Sequence, residues 1–313
     1  MGKRHARVLA SRADRFELVG VMDLEASAAL ELAQAHGVAA VAMERDAIER
    51  AEGVIVATPI RAHALTVRRA LVQGRHVLVE KPVAADAREA RELMALAESS
   101  GARLFVGHSE RFNPVVRALS RLVDPASVRA IEFRRFGSTR VRLGGNDGVL
   151  INLGVHDIDL AAYLAGSAIA PLSVRAETDM VGADERADVT GRTESGASVQ
   201  VVVDQRPADG KRRRSVVVTT PTHVWHGDLL VPSLVRACIV TGAREVIPLD
   251  TEEPLLAQAL AFGSAAMGSG ASEIATGEDG MRALIVAERA RQVAEVMPAD
   301  KRSWGKVGVS ARF

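Results

Sequence analysis

Short apolar runs and amphipathic stretches alternate along the first third of the chain. Residues 16–22 read as a buried strand ending at Asp23, and the Ala-rich segment 26–36 as a helix closed by Gly37. The runs 53–57, 76–79 and 103–106 predict further strands, with helices over 62–72, stopped by Gly74, and over 86–99. Alternation at this spacing predicts an α/β unit: a doubly wound, Rossmann-like parallel sheet with crossover helices.

The pattern changes after Asn113. A helix is predicted over 114–122, with Pro114 in its first turn. Strand-like segments follow at 128–136, 173–178, 198–204 and 215–220, without a helix between each pair. One helix, 149–164, interrupts them, and two more, 255–267 and 280–296, come near the end. This predicts an α+β unit with a mostly antiparallel sheet. The expected division is 1–117 and 118–313. The tail after Pro298 carries no interpretable signal.

Composition narrows the function. With 313 residues, 48% hydrophobic and 25% charged, the chain has the balance of a soluble globular protein. A net charge of +1 gives nucleic acid or an acidic membrane no bulk attraction. The run Lys211-Arg212-Arg213-Arg214 follows Asp209-Gly210 and reads as a solvated hairpin end. One cysteine, Cys238, excludes an intramolecular disulfide and is expected to be a small buried hydrophobe. No apolar run reaches the roughly 18 residues of a membrane span, and no signal-peptide core follows Lys3, Arg4 and Arg7. A cytoplasmic location is expected.

Chemistry gathers at the predicted strand ends. Met1-Gly2 looks like the last positions of a Gly-x-Gly-x-x-Gly loop, with a helix over 3–10 behind it. The first strand and two earlier glycines of such a fold are not in the sequence. Alone, any glycine before a helix looks the same. Asp23, about 20 residues further on, stands where an acidic side chain takes the adenosine ribose and repels a 2′-phosphate; a solvated turn aspartate is the alternative. Thr58 and Pro59 end the next strand, and His63 follows one turn into a helix. Glu80-Lys81-Pro82 ends the run 76–79, so Lys81 sits at the carboxyl edge of the sheet, either facing a ligand or snorkelling to water. On a helix, Asn152, His156, Asp159 and Tyr163 form one polar stripe expected to line a cleft. No metal is expected: Asp157 points away from His156 and Asp159, and no second histidine stands at ligand spacing.

Glu80-Lys81-Pro82, Asn152-x-x-x-His156-Asp157-x-Asp159, the segment 107–114 and Gly277-Glu278-Asp279-Gly280 together resemble the Gfo/Idh/MocA family, glucose–fructose oxidoreductases and inositol dehydrogenases. Within it they look like members that oxidise UDP-N-acetylhexosamines. The resemblance implies that Gly2, Asp23, Thr58, Pro59, His63, Glu80 and Lys81 hold NAD, with NADP disfavoured. It also implies that Lys81 bridges substrate and nicotinamide, that His156 is the general acid/base assisted by Asn152, and that Arg111, Asn113 and Asp159 face the substrate. The family often has Asp where Asn152 stands, and Asn supplies no charge to the imidazole.

The activity so implied is hydride transfer between nicotinamide and a secondary hydroxyl of a sugar or nucleotide sugar, such as the 3-position of UDP-N-acetylglucosamine. Arg134, Arg135, Arg140 and Arg142 could meet a diphosphate, or could equally be exposed strand positions. A homo-oligomer, dimer or tetramer, is expected. The missing strand is most simply a start placed too late; a chain truly beginning at Met1 is expected to bind NAD poorly. The alternative is a non-catalytic sugar- or nucleotide-binding relative that lacks a working cofactor loop.

Overall fold

The computed structural model describes residues 1–137, 148–178, 184–205, 207, 209–270 and 273–297. The chain opens with α1 (Gly2–Ala10), α2 (Ala26–His36) and the short α3 (Glu44–Glu49). Then come β1 (Gly53–Val56), α4 (Ile60–Val72), β2 (His76–Glu80), α5 (Ala87–Ser100) and β3 (Leu104–Gly107). The predicted alternation is present: β1–β2 and β2–β3 pair in parallel. Val77, Leu78 and Val79 are all buried, because helices or neighbouring chain cover both faces of β2. Local chemistry sets the limits of α5. The Asp86 side chain accepts the Glu89 amide at its start, and Gly101 in the left-handed conformation ends it.

The run 16–22 departs from expectation. It forms no strand and makes one parallel bridge, between Val21 and Ala40. Its apolar residues offer a surface, but among the described residues no strand lies between it and β1 to extend the ladder.

After a 3₁₀ turn at Ser109–Phe112 come α6 (Pro114–Leu122) and β4 (Ala130–Phe136). A π-helical turn, Leu150–Gly154, leads directly into α7 (Val155–Ala165). The strands β5 (Ile169–Thr178), β6 (Asp184–Thr193), β7 (Ser198–Asp204), β8 (Arg213–Thr219), β9 (His223–Asp228), β10 (Ser233–Cys238) and β11 (Arg244–Val246) follow. Last come α8 (Pro254–Ala266), β12 (Ala275–Thr276), α9 (Gly277–Val293) and β13 (Glu295–Met297). The larger sheet runs β11-β10-β9-β8-β4-β7-β6-β5-β13, antiparallel except at β4–β7 and β5–β13. Ile131, Phe133, Val201, Val203, Val216 and Val218 turn one face of it toward the helices.

Two expectations are corrected. The segment carrying Arg212 is no hairpin, because β4 lies between β7 and β8 and the chain must cross over it. Cys238 is partly exposed at the end of β10. Across the expected division at 117/118, β12 pairs with β3, α8 packs on α1, and α9 packs on both α5 and β5. The two sheets thus share one continuous core.

Gly280 shows how closely α9 sits on the first sheet. A Cβ there would lie 2.5 Å from Val106 Cγ2. Gly280→Val is therefore expected to destabilise the fold by about 1–3 kcal/mol through overpacking. Urea denaturation checks it; an unchanged midpoint would contradict this packing. No helix among the described residues is long and apolar enough to cross a membrane.

Candidate active site

Parallel pairing brings the carboxyl ends of β1, β2 and β3 to one edge, where a doubly wound sheet opens its crevice. Each strand delivers a polar group there: Thr58 just past β1, Lys81 directly after β2, and His108 directly after β3. Lys81 Nζ donates to the main-chain oxygen of Asn152 at 2.7 Å. Asn152 lies in the π-helical turn, where the i→i+5 pattern breaks the regular i→i+4 ladder. His156 is the second residue of the helix that follows. One hydrogen bond thus ties the amine to the start of the helix bearing the imidazole.

The surroundings tune both groups. Burial pushes the Lys81 pKa down to about 8; Glu80 and Glu110 pull it up, while Arg135 and Arg214 push it further down. Burial also holds His156 well below the usual imidazole range, and Lys81, Arg135, His108 and Arg214 act in the same direction. At neutral pH, then, a neutral imidazole sits beside a mostly protonated amine. Among the described residues, the buried His156 Nδ1 has no hydrogen-bond partner.

The expected cofactor residues take two kinds of position. Gly2 begins α1, with nothing within 4 Å of where a Cβ would stand. The exposed Asp23 accepts the Glu25 amide through Oδ1 at 2.9 Å, and among the described residues nothing bonds to its Oδ2. An open helix start and an exposed carboxylate of this kind fit a diphosphate and an adenosine ribose. Pro59 caps α4 beside Thr58. His63 and Glu80 face inward instead. His63 is buried, its Nδ1 2.8 Å from the Pro82 carbonyl and its Nε2 2.9 Å from that of Thr58, so it ties together the turns after β1 and β2. Glu80 Oε1 accepts from His5 Nε2 at 2.7 Å in a buried pair linking β2 to α1. A Cβ at Gly107 would lie 3.1 Å from Glu80 Cα, so glycine lets β3 close on this pair. A cavity of about 380 Å³ runs beside α1, lined by Met1, Arg4, Arg7, Ser109 and the start of α8.

The expected substrate residues have other duties. Arg111 donates to both Asp159 oxygens, at 2.8 and 2.6 Å, lies 3.4 Å from Asp279 Oδ2, and stacks 4.6 Å from the Tyr163 ring centre. Both partners are buried, so Arg111 and Asp159 are spent on each other. Asn113 caps α6 through the Val115 amide and donates to the Leu229 carbonyl. Asn152 contributes its carbonyl, because its side-chain amide donates to Gly148 O at 2.9 Å. The π turn also takes Asn152 off the regular helical stripe that carries His156 and Asp159.

Of the arginine group, Arg135 is buried and bidentate to Asp157, at 2.8 Å for both bonds, while the exposed Arg134 pairs with Glu132. Arg140 and Arg142 lie outside the described residues, as does the tail after 297. Arg214, the last of the basic run, turns inward to Glu110 at 2.7 Å, where Arg135 also donates at 3.2 Å. Sequence reasoning missed Glu110, Arg214, His5 and His108 as site neighbours. The signal for His108 was available: it stands past β3 as Lys81 stands past β2.

Two family models match the chain. "Oxidoreductase family, NAD-binding Rossmann fold" covers residues 1–108, and "GFO/IDH/MocA C-terminal domain" covers 122–222. Inositol 2-dehydrogenase of Rhizobium meliloti is 30% identical over 185 residues, 56% of this chain and 54% of that protein. The chain spans about half the length of the first curated relatives it matches. The rhizopine catabolism protein MocA of Rhizobium meliloti is 29% identical over 306 residues, 94% of this chain and 92% of that one. Among solved structures, UDP-N-acetylglucosamine 3-dehydrogenase GnnA of Acidithiobacillus ferrooxidans superposes with a TM-score of 0.85 at 24% identity, covering 94% of each chain.

Proposed function

Because this chain belongs to the GFO/IDH/MocA oxidoreductase family, we propose that it is an NAD-dependent dehydrogenase acting on a secondary hydroxyl of a sugar, cyclitol or nucleotide sugar. The observation that carries this reading is the Lys81–Asn152 bond, which joins a tuned amine to the helix of a neutral imidazole. Relatives named as inositol 2-dehydrogenase and UDP-N-acetylglucosamine 3-dehydrogenase have in common a ring alcohol as the group oxidised.

Bound nicotinamide supplies the hydride acceptor at this site. The chain's own residues handle the proton and the oxygen. As the carbinol C–H bond breaks, His156 Nε2 takes the hydroxyl proton as general base. Lys81, as the ammonium, donates to the same oxygen and stabilises the negative charge that builds on it. The Asn152 carbonyl holds Lys81 in place, and the Glu80–His5 pair fixes the strand end from which it projects. Gly2, with the start of α1, would hold the diphosphate, and Asp23 the adenosine ribose.

Purified protein mixed with NAD and, in turn, myo-inositol, glucose and UDP-N-acetylglucosamine should produce absorbance at 340 nm with at least one of them. Silence across these and a wider polyol panel would overturn the proposal. Asp23→Ala is expected to lower the preference for NAD over NADP by about ten- to a hundredfold, the worth of a charged hydrogen bond. Equal loss with both cofactors would remove Asp23 from the ribose site.

A further inference from the structure

His108 is fully buried, yet neither ring nitrogen has a hydrogen-bond partner among the described residues. His156 Nδ1 is in the same condition, and the two rings meet edge to face, 5.9 Å between centres at 85°. Three buried nitrogens without partners are therefore gathered at one point beside Lys81. Leaving such groups unsatisfied is costly, and a small shift of the two rings toward each other removes that cost. His108 Nδ1 also lies 3.7 Å from Asp159 Oδ2, just beyond hydrogen-bond reach. Asp159 accepts two bonds from Arg111, but a carboxylate can take a third. Asn152 gives an amide N–H to Gly148 O and is not hydrogen-bonded to His156 Nδ1.

We propose that His108, anchored by Asp159, is the partner of His156 Nδ1 in the protein in solution, already before ligands bind: a positioning residue that fixes the tautomer leaving Nε2 unprotonated. The inference rests on His156 being the base proposed above. His108 Nδ1–H points to Asp159, which leaves its Nε2 as the acceptor for His156 Nδ1–H. The arrangement also answers an electrostatic need. A His156 that has taken a proton faces Lys81 after β2, Arg135 on β4 and Arg214 on β8, all positive. Through His108 it gains Asp159 on α7 and Asp279 on α9, against Arg111 and Lys81 on the same side. Where Asn152 brings no charge, Asp159 supplies it at one remove.

The test is nitrogen-15 NMR of histidine-labelled protein without cofactor or substrate, with the His156 signal assigned from His156→Gln. Wild type should show a single His156 tautomer with the proton on Nδ1. His108→Phe keeps the ring volume and removes both nitrogens, so Tm should hold or rise while the tautomers of His156 mix. His108→Gln, whose amide oxygen can stand in for Nε2, should restore the single tautomer. On the substrate found active, His108→Phe should lower kcat about ten- to a hundredfold at unchanged KM, with His108→Gln recovering part of it. A His108→Phe protein whose His156 keeps one Nδ1–H tautomer overturns the proposal, as does wild type with mixed tautomers. The NMR result holds whether or not any alcohol is oxidised, so failure of the dehydrogenase reading is seen separately.

Discussion

Replacing Lys81 with methionine is expected to lower kcat/KM by about a hundred- to a thousandfold, the usual effect of removing one donor from a developing oxyanion. Methionine keeps most of the stem, so the fold should persist while the donor is gone. The wild-type pH profile carries the same signature. Lys81 must be protonated to donate, and its pKa is lowered to about 8, so kcat/KM should fall as pH rises through that value. His156 must be neutral to accept a proton, and burial with its cationic neighbours holds it well below 6.5, so the acid limb should lie below that point. Lys81→Arg keeps a charge that does not titrate in this range. It should lose activity through poor fit and lose the alkaline limb as well. A Lys81→Arg profile still falling near pH 8 would assign that limb to another group.

The second large effect concerns the buried frame. Arg111→Met should destabilise the protein by about 3–5 kcal/mol, because it leaves the Asp159 carboxylate buried without its bidentate partner. Against a typical total of about 5–15 kcal/mol, that is enough to populate the unfolded state measurably. The double variant Arg111→Met/Asp159→Leu should recover most of the loss, since the cost lies in the unpaired charge and not in the absent bridge. Acid should act in the same way. Burial raises the Asp159 pKa, but His108 and Arg111 outweigh it and hold it below the ordinary carboxylate range. The stability this group contributes is therefore present above the ordinary carboxylate pKa and lost as pH falls through its lowered value. Urea midpoints for the two variants and the wild type, from pH 7 down to pH 3, measure both effects. A double variant as unstable as Arg111→Met would show that packing, not charge, holds this region.

Much of this was legible in the residues. The runs at 53–57, 76–79 and 103–106 are apolar on both faces, and that continuity marks a covered parallel strand. The same reasoning failed for 16–22, because an apolar run states what a segment can bury and not which strand will pair with it. The strand β6 was missed because Asp184, Glu185, Arg186 and Arg192 hide its alternation among charges. The π turn was invisible, since a one-residue shift in hydrogen bonding leaves no mark on residue identity, yet it decides that Asn152 offers its carbonyl. Arg111–Asp159 and Arg135–Asp157 escaped for a plainer reason: each joins residues from separate elements, and only the fold shows they are spent on each other. The places of Lys81 after a strand and His156 on a helix were readable because strand ends and helix faces are local features.

A crystal structure of the protein with NAD and the polyol that best reduces it tests the central claim most directly. The account predicts the reacting hydroxyl oxygen within about 3 Å of both Lys81 Nζ and His156 Nε2. A hydroxyl held by other groups, or apolar side chains packed between the amine and the imidazole, would contradict it.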